Sequence, residues 1–131
     1  MKTVRIVLSC IGGLLVIAVI LFVVLNLGMG EIRKLVISSV DLTRVADGVY
    51  NGKYHKGRWT YDVRVTVKGR KIVGIENTNR KMEMFKDLNA KAAAEIIRKQ
   101  SPQIDIVSGA TITTRAFEKA VENALDSAAK K

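Results

Sequence analysis

The spacing of apolar residues divides the chain into three stretches. Residues 6–27 form an uncharged run of 22 residues. As a helix, at about 1.5 Å per residue, such a run crosses a hydrocarbon core of about 30 Å. Apolar and polar residues then alternate between residues 49 and 76, and from residue 87 onward the apolar residues recur every three or four positions. The pattern predicts a membrane helix, then a β-sheet, then helices.

The uncharged run favours a retained anchor over a cleaved signal peptide. Signal peptides have apolar cores of about 7–15 residues, which is shorter than this run. The small residues at 28–30 keep cleavage open as the alternative. Cys10 does not fit a lipoprotein site, because most of the apolar core follows it. We therefore expect residues 1–30 to be an N-terminal transmembrane anchor, with Lys2 and Arg5 favouring a cytoplasmic N-terminus. Arg33 and Lys34, just beyond the run, weaken that charge asymmetry.

The alternating stretch predicts an antiparallel sheet with one apolar face. Its clearest strand covers residues 58–68, where five apolar side chains share one face: Trp59, Tyr61, Val63, Val65 and Val67. A first strand is predicted at 49–55, and a turn at Gly69 and Arg70 leads to a third at 71–76. Because the other face of the central strand is polar, we expect the sheet to be covered on one side only.

Two helices are expected to provide that cover. Residues 87–100 carry an apolar stripe at helical spacing, formed by Leu88, Ala92, Ala93, Ile96 and Ile97, and Pro102 follows its end. Ile104 and Ile106 then predict a short buried strand. The last helix carries a longer stripe, formed by Ala116, Phe117, Ala120, Val121, Ala124 and Leu125. The expected fold is α+β: a small antiparallel sheet with two helices packed on one face, preceded by one transmembrane helix.

Length and composition allow one globular domain, which we expect at residues 47–131, joined to the anchor by a connector at 31–46. The net charge is +10. The basic residues are scattered, which favours a solvated surface over a nucleic-acid site. A single cysteine excludes a disulfide within the chain and any cysteine-based metal site. His55 is the one histidine and lies in a polar stretch, so no catalytic residue and no metal ligand is predicted.

The segment with the most distinctive chemistry precedes the last helix. Residues 105–111 read Asp-Ile-Val-Ser-Gly-Ala-Thr, and two more threonines follow at Thr113 and Thr114. A small-residue turn ahead of a helix presents free N–H groups and the positive end of the helix dipole to an anion. Plain helix capping by hydroxyl side chains explains the same composition. The spacing alone leaves both interpretations open.

The string Asp-x-x-Ser-Gly-Ala-Thr, followed by x-Thr-Thr, resembles the flavinylation motif of the FMN-binding domain family. This family includes the G subunit of Rnf electron-transport complexes and the C subunit of the sodium-translocating NADH:quinone reductase. The resemblance runs from about Asp47 to Leu125. It implies that Thr111 accepts FMN through a phosphoester bond. The implied cofactor site also contains the other motif residues and those just after them: Asp105, Ser108, Gly109, Ala110, Thr113, Thr114 and Arg115.

The resemblance also implies a function. We expect a single-pass cell-membrane flavoprotein with an extracytoplasmic C-terminal domain, which relays electrons between membrane redox partners and external acceptors. A separate flavin transferase would attach the FMN. The alternative is an unflavinylated binding module whose basic surface contacts anionic lipid or wall polymer. A direct reductase is a weaker reading, because the residues favour electron transfer over a substrate-specific enzyme. Met82, Met84 and Phe85 are either core filler or a cover for the flavin ring.

Overall fold

The computed structural model describes residues 1–104 and 111–130, which form a three-stranded antiparallel sheet and four α-helices. The sheet order is β1-β2-β3, and the bounds of its strands are Gly48–Lys56, Trp59–Lys68 and Lys71–Asn77. The helices are α1 (Lys2–Asn26), α2 (Met29–Arg33), α3 (Lys86–Lys99) and α4 (Thr111–Ala129), with 3-10 turns at Leu42–Arg44 and Arg80–Phe85. The α+β prediction is confirmed.

The central strand β2 buries the apolar face that its alternation predicts. Its five alternate apolar side chains, from Trp59 to Val67, are all buried. The turn between β2 and β3 consists of Gly69 and Arg70, both with positive φ angles of 61° and 62°. Two successive residues with positive φ are typical of the tight hairpin turn that matches the twist of antiparallel strands. The register therefore follows from a two-residue connection.

Helix α4 packs on β1 through a close approach at Gly52. A Cβ atom at this position would lie 2.1 Å from the Ala120 carbonyl oxygen and 2.7 Å from the Ala124 Cβ. Glycine at this point lets the helix backbone approach the strand. The predicted stripe of α4 is confirmed, since all six of its residues are buried.

Helix α3 differs from the prediction in which side chain it buries. Asn89 is buried while Leu88 is only half-buried, because the Asn89 Oδ1 atom accepts a hydrogen bond of 2.8 Å from the Tyr61 hydroxyl. A buried tyrosine hydroxyl needs a partner, and Asn89 provides it. Ile104 is buried but lies in no strand, so the predicted strand is wrong at this residue; Ile106 lies outside the described residues.

The predicted connector packs against the domain. Ile32, Ile37 and Val45 are all buried, and Ile32 and Val45 belong to the same core as the sheet. The Asp41 side chain accepts a hydrogen bond of 3.0 Å from the Thr43 N–H, which starts the first 3-10 turn. The stretch between membrane helix and sheet is thus an ordered part of the fold.

The first helix is a candidate membrane span. It is long and apolar enough to cross a bilayer, and none of its residues is buried in the protein. Its end meets the β1–β2 turn: a Cβ added to Gly57 would lie 3.2 Å from the Leu27 carbonyl oxygen. Lys56, beside Gly57, forms an ion pair with Glu31 of α2. This turn is therefore held at the end of the apolar helix.

Candidate functional site

Thr111 is the first residue of α4 and is half-buried. The first N–H groups of a helix have no partner within the helix, and the helix dipole adds a partial positive charge there. The 19-residue helix carries no acidic side chain in its first turn, so nothing in that turn opposes this charge. A group attached to the Thr111 hydroxyl would start at the electropositive end of the helix.

Two neighbours of Thr111 carry polar atoms without partners. Thr114 is buried, and its Oγ1 atom forms no hydrogen bond within residues 1–104 and 111–130. The Arg115 Nε atom is also buried and, within the same residues, has no hydrogen-bond partner. Arg115 lies four residues after Thr111 and therefore on the same side of the helix. Since buried polar groups are nearly always paired, these atoms fit the phosphate of an FMN joined to Thr111.

Glu118 lies three residues beyond Arg115 and is completely buried. Its Oε1 atom accepts a hydrogen bond of 3.3 Å from the Ile104 N–H, and its Oε2 atom lies 3.7 Å from Arg115 Nη1. Burial raises the pKa of Glu118 to about 7, opposed by Arg115 and the Ile104 N–H, while Glu122 adds to the rise. A carboxyl that is partly protonated near neutral pH does not fully neutralise Arg115, which keeps this guanidinium able to bind a phosphate.

A cavity of about 330 Å³ borders the first turn of α4. This volume lies at the lower end of the range for small-molecule sites, about 300–1,000 Å³. Its lining combines aromatic, thioether and cationic side chains with one threonine of α4: Arg58, Trp59, Lys81, Met82, Met84, Phe85 and Thr113. The Arg58 guanidinium lies 4.6 Å from the centre of the Trp59 ring. The cavity therefore offers an apolar wall and two cationic side chains beside the start of α4.

The structure separates the roles of the three apolar residues in this cavity. Met82 is buried and belongs to the core, as a filler does. Met84 is 82% exposed at the cavity, whereas Phe85 is half-buried and packs against the core. Met82 and Phe85 therefore support the fold, and Met84 is the exposed apolar side chain at the cavity.

A second cavity, of about 570 Å³, lies between β3 and α3. Its lining includes Asn79, Asn89 and Phe117 and no residue from the first turn of α4. Although it is larger, its nearest α4 residue is six positions beyond Thr111. The smaller cavity, which Thr113 lines, is the one nearer to Thr111 along α4.

The structure brings four predicted site residues together in the first five residues of α4: Thr111, Thr113, Thr114 and Arg115. The others, Asp105, Ser108, Gly109 and Ala110, lie outside the described residues. Sequence reasoning missed Glu118 and Trp59 as parts of this region. The spacing of Arg115 and Glu118, three residues apart on one helix, was the available signal for the pair. For Trp59, the alternating pattern predicted a buried side chain. A place in the core explains that burial, so the pattern did not indicate a role at the cavity.

Comparison with solved structures shows a similar fold in the crystal structure of the CPE2226 protein from Clostridium perfringens. The two share 24% sequence identity with a TM-score of 0.53, over 66% of this chain and 90% of the other. No curated protein matches the sequence. The family model for the FMN-binding domain matches residues 55–126, a stretch that contains the central strand, α3, the motif and most of α4. The chain therefore belongs to the FMN-binding domain family, and its cofactor is FMN.

Proposed function

We propose that this protein is a membrane-anchored flavoprotein that carries FMN on Thr111 through a phosphoester bond and relays electrons outside the cytoplasm. The observation that carries the proposal is the placement of Thr111 as the first residue of α4, with Arg115 four residues along the same helix face. The buried Arg115 Nε atom has no hydrogen-bond partner among the described residues. A hydroxyl and an anion-binding side chain thus share one helix turn. This combination fits a phosphate ester bound at the helix N-terminus better than it fits a helix cap alone.

The attachment step has a simple balance. FAD, held by a separate flavin transferase with magnesium, supplies the FMN group. A bond forms between the Thr111 hydroxyl oxygen and the FMN phosphorus, the pyrophosphate bond of FAD breaks, AMP leaves, and the hydroxyl proton goes to solvent. The product is a phosphodiester with one negative charge. The helix N-terminus and Arg115 stabilise that charge.

The remaining side chains of the smaller cavity suit a relay. Bound flavin supplies one- and two-electron transfer, and its potential responds to nearby charges. Arg58 and Lys81 place positive charge beside the cavity, which favours a more negative, reduced ring. Among the described residues that line this cavity, none is a carboxylic acid or a histidine. The lining therefore suits a ring whose potential it tunes, and its described residues offer no carboxylate or imidazole for proton transfer to a substrate.

The proposed location rests on the anchor. Lys2 and Arg5 precede the candidate span and favour a cytoplasmic N-terminus, which places the domain on the other side of the membrane. A covalent link suits that side, because a dissociated flavin would be lost from the cell. We therefore place the protein in the cell membrane with a single span and an extracytoplasmic domain.

The decisive experiment is an intact-mass measurement on full-length protein produced together with a flavin transferase. We expect a mass increase of one FMN minus one water, located on a peptide that contains Thr111. The Thr111→Ala variant should lose the adduct and Thr113→Ala should keep it. An adduct that survives in Thr111→Ala would refute the assignment, and no adduct in any variant would favour the unflavinylated binding module.

A further inference from the structure

The smaller cavity and the end of the membrane helix lie at the same end of the domain. The β1–β2 turn connects them, because Gly57 lies against the Leu27 carbonyl and the next two residues, Arg58 and Trp59, line the cavity. Gly57 and Arg58 form the turn and Trp59 begins β2, so the Cα atoms of Gly57 and Trp59 lie within about 8 Å, two Cα–Cα steps, of each other. The cavity is therefore a short distance from the last apolar residue of the candidate span.

Leu27 fixes the height of this turn relative to a bilayer. It is the last residue of the apolar stretch 6–27; three uncharged residues follow at 28–30, and Glu31, Arg33 and Lys34 lie within seven positions of it. A helix that spans the hydrocarbon core therefore leaves the membrane near Leu27, at the level of the lipid headgroups. Because the β1–β2 turn contacts Leu27, the turn reaches the same level. The Lys56–Glu31 ion pair adds a second contact between the turn and α2.

The exposed side chains around the cavity have the composition of a membrane-contacting surface. Arg58 and Lys81 are exposed cations, and Met84 is an exposed apolar side chain. Within the described part of the chain, neither cation forms an ion pair with a carboxylate. Basic residues without an ion-pair partner attract anionic headgroups, and an apolar side chain at the same cavity can enter the boundary with the acyl chains. We define these three residues as the cavity rim.

We propose that the cavity rim contacts the anionic lipid headgroups of the membrane that α1 spans. Arg58 and Lys81 bind lipid phosphates, and Met84 enters the headgroup layer. The inference rests on the proposed function in taking the apolar helix α1 as the membrane span, but it does not require that flavin be attached. It deepens the proposed function, because a flavin ring in this cavity is then reached from the membrane surface.

The position of the rim is measured with nitroxide labels on the full-length chain in lipid nanodiscs. Cys10 is the one native cysteine, so Cys10→Ser removes it and a single label is placed by Met84→Cys. The control is Lys68→Cys, an exposed position at the far end of β2. We expect the label at position 84 to collide with oxygen in preference to an aqueous nickel complex, and the label at 68 to show the reverse. Two labels equally open to the nickel complex would overturn the proposal.

The charge dependence is tested with the same label at position 84. Adding phosphatidylglycerol to phosphatidylcholine nanodiscs should increase the lipid-contacting fraction. Lys81→Glu should lower it by a factor of about five or more, because the loss of one basic residue near an anionic surface costs about fivefold and the new carboxylate adds repulsion. Lys68→Glu changes the net charge equally and should leave the fraction unchanged. An equal loss in both variants, or no response to phosphatidylglycerol, would contradict headgroup binding by the rim.

These outcomes are separable from those of the flavin experiment. A label at position 84 that stays in water while Thr111 carries FMN refutes the membrane contact and leaves the flavoprotein proposal standing. A lipid-embedded label on a protein that never accepts FMN supports the membrane contact and refutes the flavoprotein proposal.

Discussion

The Glu118 Oε2 atom lies 3.7 Å from Arg115 Nη1, and both side chains occupy the half of α4 that begins at Thr111. The Glu118 Oε1 atom accepts a hydrogen bond from the N–H of Ile104, which is the last described residue before the motif. One buried carboxyl thus touches both the guanidinium proposed for the phosphate and the chain that leads into the motif. Two predictions follow the two members of this pair.

We expect Glu118 to make the stability of the protein fall between pH 5 and pH 8. Burial raises the pKa of Glu118 from 4.5 to about 7, so the folded state binds more protons than the unfolded state between these values. The stabilisation is fully present below pH 4.5 and is lost as the pH rises through 7, with a magnitude on the order of 3 kcal/mol. The buried side chains of the three strands and of α2 and α3 carry no formal charge, so among the described residues the charged groups that act on Glu118 are Arg115 and Glu122 on its own helix.

The measurement is chemical denaturation across this pH range with Glu118→Gln, whose side chain stays neutral throughout. The variant should lose less stability between pH 5 and pH 8 than the unaltered protein. Glu76→Gln, at an exposed carboxyl, serves as the control and should follow the unaltered protein. Parallel curves for Glu118→Gln and the unaltered protein would contradict the raised pKa.

Arg115→Ala should lower the fraction of protein that becomes flavinylated, because the phosphodiester loses the guanidinium nearest to Thr111 along the helix. Arg115→Lys keeps the positive charge but lacks the planar guanidinium group. Its flavinylated fraction should therefore lie between those of the unaltered protein and Arg115→Ala. Lys119→Ala, one turn further along α4 and paired with Glu122, is the matched control. The readout is the ratio of flavinylated to bare intact mass at a fixed transferase concentration. Equal ratios in all four proteins would show that Arg115 does not serve the phosphate.

Gly52→Ala should destabilise the domain strongly. The added methyl would meet the Ala120 carbonyl and the Ala124 backbone of α4, which are helix backbone atoms that cannot turn aside. Overpacking of this kind costs about 1–3 kcal/mol or more. Gly74→Ala in β3 is the matched control, since its nearest neighbour would lie at an ordinary 3.8 Å. Urea denaturation of the two variants measures the difference, and similar midpoints would contradict the close approach of α4 to β1.

Trp59 should report whether the flavin ring occupies the smaller cavity. It is the one tryptophan in the chain, and it lines the cavity together with Thr113. A flavin ring in contact with the indole should quench its fluorescence in the flavinylated protein. Release of the flavin by phosphodiesterase treatment should restore the emission, and Thr111→Ala should never lose it. Unchanged Trp59 emission in protein with a confirmed adduct would place the ring outside this cavity.

The sheet followed from sequence because β2 alternates strictly, and burial on one face imposes that alternation. The burial of Asn89 in place of Leu88 did not follow, because it depends on the Tyr61 hydroxyl, which is 28 positions away along the chain. Ile104 was expected in a strand on its apolar character alone, yet its N–H bonds to Glu118 and not to a neighbouring strand. In both cases a hydrogen bond to a residue distant in the sequence determined the local structure.

At the site, the local helix placed Thr111, Thr113, Thr114 and Arg115 together, as their proximity in sequence required. Trp59 and Glu118 could be assigned to the site only from the folded structure. Trp59 reaches the site because β2 starts next to the first turn of α4. The role of Glu118 depends on its complete burial. The sequence did not predict this burial, because a glutamate is expected to be exposed.

The contact of Gly57 with Leu27, together with the packed connector, determines how the domain meets other molecules. A free linker of the 16 residues at 31–46 would let the domain search a volume with a root-mean-square reach of roughly 22 Å. Because Ile32, Ile37 and Val45 are buried instead, the domain is held at the helix end and makes no such search. If α1 spans a membrane as proposed, encounters with a partner would be set by lateral diffusion of the whole protein in the plane of that membrane. The surface density of the partner would then replace the local concentration that a flexible tether creates.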